Sequence, residues 1–289
     1  MAFGQHQTFY LRQQWLTKGL TEVRKNPRFF YEEEHFEVLG VGKNMAKSIR
    51  HWLNVTQLTE EKRSTKTEVV LSALGEIVYK HDYYVKYRFT LGLLHYLIVT
   101  EKKEATTWYW FFNIFNERIF TKALLIDSLE KWVKDNFEKS VSNTSLKRDI
   151  DCLLLLYCLK EYKKMTPEDV IKSPFEALKL VEETSAPYFV KNTVDAKNVM
   201  SQLLFVTLVK YMEKNQMNEV SLNELVNAPE LWGKVFNLTR DAIIDNLVEL
   251  QTKYGIEFTR TNRLDIVRLK EDISWIEAVQ MIYENEVIA

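Results

Sequence analysis

The chain has few of the residues that build disulfides, tight loops or membrane spans. Its two cysteines, Cys152 and Cys158, lie six positions apart in an apolar run, which is not the spacing of a metal or redox motif. We therefore predict buried, inert thiols in a reducing cytoplasm. Eight glycines and five prolines are too few for a loop-rich all-β fold. The first 20 residues lack the apolar core of a signal peptide, and no apolar run approaches the roughly 18 residues of a membrane span, so we expect no membrane partner.

Charge of one sign does not dominate the chain, because the net charge is −1. The distribution is nevertheless uneven. Residues 1–66 hold eleven Lys and Arg against seven Asp and Glu, a net charge of +4, so the remainder carries −5. This asymmetry is typical of a local nucleic-acid-binding face on a neutral body, and a solvated surface produces it about as often.

The most informative segment, residues 38–53, reads as a glycine turn followed by a short helix. Met45, Ile49, Trp52 and Leu53 are apolar at helical spacing and predict a buried face. A helix that follows a glycine turn and has a basic exposed face is typical of the second helix of a helix-turn-helix. The candidate nucleic-acid contacts on this exposed face are Lys43, Asn44, Lys47, Ser48, Arg50 and His51.

A phosphate-binding loop is the competing interpretation of the turn at residues 40–44. That motif requires a glycine five positions before the second glycine, and Ser or Thr after the lysine. Glu37 and Asn44 occupy these positions, so the sequence disfavours an NTPase. We expect the glycines to permit positive φ ahead of the helix.

The order of predicted elements gives a mainly α fold with three domains. Residues 1–80 read as a winged helix-turn-helix-like domain, in which Lys62 and Arg63 form a basic loop after the recognition helix. Residues 81–192 read as a helical middle domain, with helices predicted over 121–136 and 146–162, the second capped by residues 143–145. Residues 193–289 read as a second winged-helix-like domain, with helices predicted over 195–214 and 239–253 and a capping box at Ser221 and Glu224. Its predicted hairpin, with extended runs over 256–260 and 264–270, adds Arg260 and Arg263 as candidate contacts with DNA or protein.

Other motifs admit a chemical and a structural interpretation. Trp108, with Tyr109 and Trp110, suggests either a base-stacking platform or a helix core, and the core is favoured. Asp149 and Asp151, with His95, suggest either a nuclease-type metal site or, as we prefer, a structural ion network and a buried histidine. We therefore predict no catalytic residue, no metal, no cofactor and no enzyme.

Five segments together resemble one bacterial family of domains of unknown function, the "4007" family. They are residues 8–16, 39–45, 93–95, 105–110 and 145–151. The resemblance implies a place in gene clusters for DNA phosphorothioation and phage defence, and a partner similar to phosphoadenosine-phosphosulfate reductases. Residues 82–87 depart from the acidic segment usual in the family, so a partner that uses this segment is expected to differ.

The leading functional hypothesis is a cytoplasmic, non-enzymatic DNA-binding or adaptor subunit that positions a sulfur-transferring or other DNA-acting partner. The alternative is a protein-interaction scaffold without nucleic-acid contact, and the third hypothesis is a cryptic nuclease or modification enzyme. The basic face at residues 43–51 motivates the first hypothesis.

Overall fold

A computed structural model describes residues 1–138, 140–158, 173–194, 199–260 and 265–285. The helices in these residues are α1 (Gln13–Lys25), α2 (His35–Val38), α3 (Lys43–Val55), α4 (Ala73–His81), α5 (Arg88–Thr100), α6 (Thr106–Asn113), α7 (Lys122–Asn136), α8 (Asn143–Tyr157), α9 (Ser201–Asn215), α10 (Leu222–Asn227), α11 (Trp232–Val235), α12 (Arg240–Lys253) and α13 (Trp275–Asn285). The strands are β1 (Thr59–Arg63), β2 (Thr67–Leu71), β3 (Ile119–Thr121), β4 (Val181–Glu183), β5 (Tyr188–Lys191), β6 (Glu219–Ser221), β7 (Ile256–Arg260) and β8 (Asp265–Leu269).

The predicted fold class, mainly α with winged-helix domains, is wrong. The fold is mixed α and β, 56% helical and 13% strand, with three small antiparallel sheets among the described residues. These sheets have the strand orders β1-β2, β3-β5-β4 and β6-β8-β7. The middle region, predicted to be helical, contains the second sheet. Its strands β3 and β4 have three residues each, too few for the alternation of side chains that predicts a strand.

The second and third sheets share one connectivity. In each, a three-residue strand runs into a helix, and a later hairpin adds two strands, the last of which pairs with the first. Thr121 ends β3 and caps α7, and Ser221 ends β6 and caps α10. In both places the last residue of the strand is also the N-cap of the next helix, and its hydroxyl satisfies a free backbone amide.

Helix starts follow the side-chain chemistry of the sequence. The predicted capping box at Ser221 and Glu224 is confirmed, since each side chain accepts from the other residue's backbone amide. At the start of α12 the Thr239 hydroxyl alone is the cap, and it accepts from the Ala242 amide. The cap of α8 is Ser142, one residue before the predicted 143–145 segment.

Helix α5 lies at the centre of the core, and every residue from Phe89 to Val99 is buried. Its Thr90 hydroxyl bonds the Tyr283 hydroxyl at 2.6 Å, which joins α5 to α13. Gly92 allows close packing on α9, because a Cβ there would lie 2.3 Å from Leu203 Cδ2. The middle and C-terminal regions therefore share a continuous core.

Three sequence predictions fall partly on residues outside the described ranges. The helix predicted over 195–214 is described from Ser201 onward, as α9. The helix predicted over 146–162 is described to Tyr157, as α8. Arg263, a candidate contact in the C-terminal hairpin, lies outside the described residues.

Candidate nucleic-acid interface

The glycine turn uses its two glycines differently. Gly40 has φ of +65°, in the left-handed region that glycine adopts without strain. Gly42 has φ of −73° and is the N-cap of α3. The expected positive φ is therefore confirmed at Gly40 only. The Lys18 ammonium donates to the Leu39 carbonyl at 3.0 Å and ties the turn to α1.

The apolar face predicted on α3 is buried, with Met45 only partly so, and it packs against α1. Ile49, Trp52 and Leu53 are completely buried. Gly19 of α1 permits this packing, since a Cβ there would lie 2.5 Å from Leu53 Cδ1. The Trp52 indole donates to the Phe9 carbonyl at 3.1 Å, so the N-terminal segment also holds the helix. Burial of this face fixes which side of α3 meets solvent.

The structure separates the six candidate residues of α3 into two groups. Lys43, Asn44 and Lys47 are exposed. Ser48 is completely buried and donates to the Phe9 carbonyl at 3.3 Å. His51 is half-buried, and desolvation, assisted by the charge of His6, lowers its pKa to about 3. Neither Ser48 nor His51 adds charge to the exposed face near pH 7.

Arg50 joins α3 to the β1-β2 hairpin. Its guanidinium donates to Glu61 Oε1 at 2.6 Å and to the Tyr31 hydroxyl at 2.7 Å. The same group lies over the Tyr31 ring, 4.7 Å from its centroid. These contacts engage the Arg50 guanidinium within the protein and hold the hairpin beside the exposed face of α3.

The hairpin carries the predicted basic residues to the surface. Lys62 and Arg63 are both exposed at the end of β1. In the register, Lys62 lies opposite Glu68 and Arg63 opposite Thr67. The Lys62 ammonium also lies 3.4 Å from the Glu60 carboxylate, and such an exposed ion pair contributes little to stability. Together with Lys43, Asn44 and Lys47, the hairpin residues Lys62 and Arg63 form what we call the α3 face.

Arg260 belongs to a different sheet from the α3 face. It lies at the end of β7, where its guanidinium is 3.9 Å from Asp265. Arg240 lies 3.3 Å from the same carboxylate. Arg260 therefore shares Asp265 with a second arginine and stays a predicted contact of the C-terminal region.

The base-stacking interpretation of residues 108–110 is wrong. Trp108 and Trp110 are each 2% exposed, and Tyr109 is also buried. Trp108 packs edge-on against Trp52, with ring centroids 5.5 Å apart. These aromatic residues form the core, as the preferred interpretation predicted.

The carboxylates and histidine of the nuclease hypothesis do not converge. Asp149 is buried and accepts from His6 Nε2, from the Gly4 amide and from the Thr107 hydroxyl at 2.7–2.8 Å. Asp151 is half-exposed and pairs with Lys122. His95 is a satisfied core histidine, as expected, bonded to the Tyr157 hydroxyl and the Val235 carbonyl. Among the described residues, no group of three His, Cys, Asp or Glu is placed to hold a metal ion.

Asp149 forms a cluster with Gly4, His6 and Thr107 that no local sequence pattern indicates. Gly4 and His6 lie more than 140 positions from Asp149, so neither spacing nor periodicity connects them. The cluster fastens the N-terminal segment over α6 and α8, against Trp108. Its carboxylate is fully engaged, which indicates a structural role.

The predicted burial of the two cysteines is confirmed. Cys152 and Cys158 are buried and free. Burial raises the pKa of the Cys158 thiol to about 12 and raises that of Cys152 well above its ordinary value. Both therefore remain protonated thiols at neutral pH.

A family model described as "Protein of unknown function (DUF4007)" matches residues 3–283. The chain belongs to the DUF4007 family. No curated protein matches it significantly. The match confirms the family resemblance of the five sequence segments, while the association with phosphorothioation genes and a reductase-like partner stays a prediction.

Two solved structures have the same fold as this DUF4007 protein. A magnesium-ion-bound SspB crystal structure has a TM-score of 0.88 and 22% sequence identity, covering 98% of this chain and 88% of that one. A second SspB crystal structure has a TM-score of 0.85 and 22% identity, covering 98% and 87%. No described helix of this chain is both long and apolar enough to cross a membrane.

Proposed function

We propose that this protein is a DNA-binding subunit of a bacterial DNA-modification or phage-defence system, and that it positions a DNA-acting partner. The observation that carries the proposal is the α3 face, where exposed basic residues of α3 and of the β1-β2 hairpin lie on adjacent elements. The shared fold with SspB and the genomic company implied by the family resemblance agree with it. The proposal assigns no catalytic step to this chain.

The α3 face suits a phosphate backbone for electrostatic reasons. Lys43 and Lys47 lie one turn apart on α3, so both ammonium groups can follow one DNA strand. The Lys43 ammonium lies 5.0 Å from the Phe36 ring centroid, which holds its side chain near the start of the helix. Asn44 is exposed beside them and has both a donor and an acceptor for a base edge.

The test is duplex binding by a charge-removal pair and a matched control. Lys43→Ala with Lys47→Ala removes two charges from the α3 face. Lys131→Ala with Lys134→Ala removes two charges from the exposed side of α7, with the same effect on net charge. We expect the first pair to weaken binding of a 20-base-pair duplex roughly tenfold and to lower the salt slope by about two, because each lysine neutralises about one phosphate.

The control pair should change neither the dissociation constant nor the salt slope by more than twofold. Equal effects of the two pairs would show that only net charge matters and would overturn the proposal. Undiminished binding by Lys43→Ala with Lys47→Ala, in a protein with an unchanged circular dichroism spectrum, would overturn it as well.

A second candidate function, the protein-interaction scaffold, is favoured by one exposed apolar surface. On one side of the β3-β5 pair, Ile119 is 63% exposed and Tyr188 is 48% exposed. Leu124, in the first turn of α7, is also exposed. Exposed apolar groups on neighbouring elements are typical of protein-docking surfaces. A scaffold without DNA contact would show weak duplex binding with flat salt dependence.

A further inference from the structure

Three tyrosine rings form a contiguous surface cluster that the α3 face does not include. Tyr79, at the end of α4, lies edge-on to Tyr83, with centroids 5.1 Å apart. Tyr83 lies edge-on to Tyr84, with centroids 4.9 Å apart. Tyr84 is 60% exposed, a large fraction for an aromatic side chain. We call these three residues the tyrosine cluster.

The backbone that carries the tyrosine cluster is fixed from both sides. The buried Asp82 carboxylate accepts from the amides of Lys86 and Tyr87 at 2.8 and 2.9 Å. The Gln13 side-chain amide of α1 donates to the carbonyls of Tyr84 and Val85 at 2.9 and 2.8 Å. The exposed ring of Tyr84 therefore stands on an ordered turn, which lowers the entropy cost of binding a ligand on it.

Cationic side chains lie on the rings of the cluster. The Arg24 guanidinium is 4.6 Å from the centroid of Tyr79, and the Lys86 ammonium is 5.3 Å from that of Tyr84. Lys25 and Lys80 are exposed nearby on α1 and α4. The acidic residues of this region are engaged, because Glu22 pairs with Lys25 at 2.7 Å and Glu76 with Arg24 at 3.4 Å.

A cleft of about 340 Å³ adjoins the cluster between α1, α4 and α13. The residues that line it are Arg24, Glu76, Ile77, Tyr79, Lys80, His81 and Gln280. Its volume lies near the lower end of the roughly 300–1,000 Å³ typical of small-ligand sites. The cleft therefore offers a concave space bordered by the Tyr79 and His81 side chains, by the Arg24–Glu76 ion pair and by Lys80.

We propose that the tyrosine cluster binds single-stranded DNA by stacking an unpaired base on Tyr84, while Lys80 and Lys86 contact its phosphates. Exposed aromatic rings with interspersed cations are the typical platform for single strands, whose base faces are open. In a duplex the same faces are covered by neighbouring base pairs, so the cluster discriminates against duplex DNA. The site lies on α1, α4 and the 82–87 turn, and it does not depend on the α3 face.

The experiment compares binding of a fluorescein-labelled 12-nucleotide thymidine oligomer, measured by anisotropy, between the full-length protein and its variants. Tyr84→Ala should weaken binding about tenfold, as expected for the loss of one base–aromatic stack. Tyr84→Phe keeps the ring and should bind within twofold of the unmodified protein. Lys86→Ala should lower the salt slope by about one.

Tyr188→Ala is the matched control, since it removes a ring 48% exposed on the β3-β5 sheet, away from any proposed DNA contact. It should leave oligomer binding unchanged. Equal binding by Tyr84→Ala and the unmodified protein would overturn the proposal. So would an equal loss in Tyr84→Phe, which would place the effect in the hydroxyl, or a preference for a uridine RNA oligomer over the DNA.

The experiments distinguish the failure of the duplex-binding proposal for the α3 face from the failure of the single-strand proposal for the tyrosine cluster. If the Lys43→Ala, Lys47→Ala pair retains oligomer binding and loses duplex binding, both proposals hold. If the unmodified protein binds duplex and not the oligomer, the tyrosine cluster proposal fails and the proposed function stands. If it binds the oligomer through Tyr84 and shows no duplex binding, the single-strand site stands and the α3 face fails.

Discussion

Two buried polar side chains, Asp149 and His95, are fully hydrogen-bonded in the core. The Asp149 carboxylate takes three donors, so its removal would leave each of them buried without an acceptor. His95 accepts from the Tyr157 hydroxyl and donates to the Val235 carbonyl, which uses both ring nitrogens of the neutral form. Complete burial of His95 lowers its pKa from 6.5 to about 4, despite the bond to Val235.

His95 gives the protein a pH-dependent stability. Because burial lowers the pKa of His95, the unfolded chain binds the proton at a higher pH than the folded chain does. The contribution of neutral His95 to the free energy of unfolding is therefore complete above pH 6.5 and is lost between pH 6.5 and 4. We expect a loss of about 2 kcal/mol from this residue between pH 7 and pH 5. Urea unfolding of His95→Gln over the same range should show a correspondingly flatter profile. An unchanged profile would contradict this assignment.

Residue types predicted the buried positions better than the polar contacts. The apolar spacing in α3 predicted the burial of Ile49 and Trp52, and a histidine in an apolar run predicted a satisfied His95. The same spacing misassigned Ser48 to the exposed front, because a serine is small enough to be buried beside Ile49 and bond the Phe9 carbonyl. The Asp149 cluster joins distant segments, and local patterns contain no such information.

At the scale of elements, amphipathic spacing predicted α7 and α12 to within one residue of their bounds. Thr121 and Thr239 are the N-caps of these helices, where a hydroxyl satisfies a free amide. The hairpin strand predicted at 256–260 is confirmed, as β7. The short strands β3, β4 and β6 were missed, since three residues form a strand only when tertiary pairing supplies the partner.

We expect serine substitutions at the two glycines of the turn to change stability in opposite directions. Gly40→Ser forces a side chain into the left-handed region and should lower the free energy of unfolding by about 1 kcal/mol. Gly42→Ser places a hydroxyl at the N-cap of α3, where φ suits any residue and a Cβ meets no atom within 4 Å. It should raise stability by about 0.5 kcal/mol. Urea denaturation measures both, and equal effects would show that the two glycines are equivalent.

At the scale of the whole molecule, the three domains predicted from the sequence remain a prediction, but their contacts are extensive. Lys210 of α9 donates to the Gln57 side chain at 3.1 Å, a bond that joins the C-terminal region to the N-terminal region. His95 and Thr90 of α5 bond Val235 and Tyr283. Hydrogen bonds of this kind couple the unfolding of the regions that they join, and the two bonds of α5 are buried.

We therefore expect one cooperative thermal transition. Differential scanning calorimetry should give a calorimetric enthalpy close to the van't Hoff enthalpy, because opening one region exposes the core of the next. Two resolved heat-absorption peaks would show instead that the predicted domains unfold independently.

The buried tryptophans also provide an intrinsic fluorescence probe of the core. Trp52, Trp108, Trp110 and Trp232 are at most 2% exposed, whereas the tyrosine cluster lies at the surface. Indole emission from an apolar interior lies at shorter wavelength than emission from water. Trp132 and Trp275 are only partly buried, so fluorescence excited at 295 nm, where tyrosine hardly absorbs, reports mainly the state of the interior.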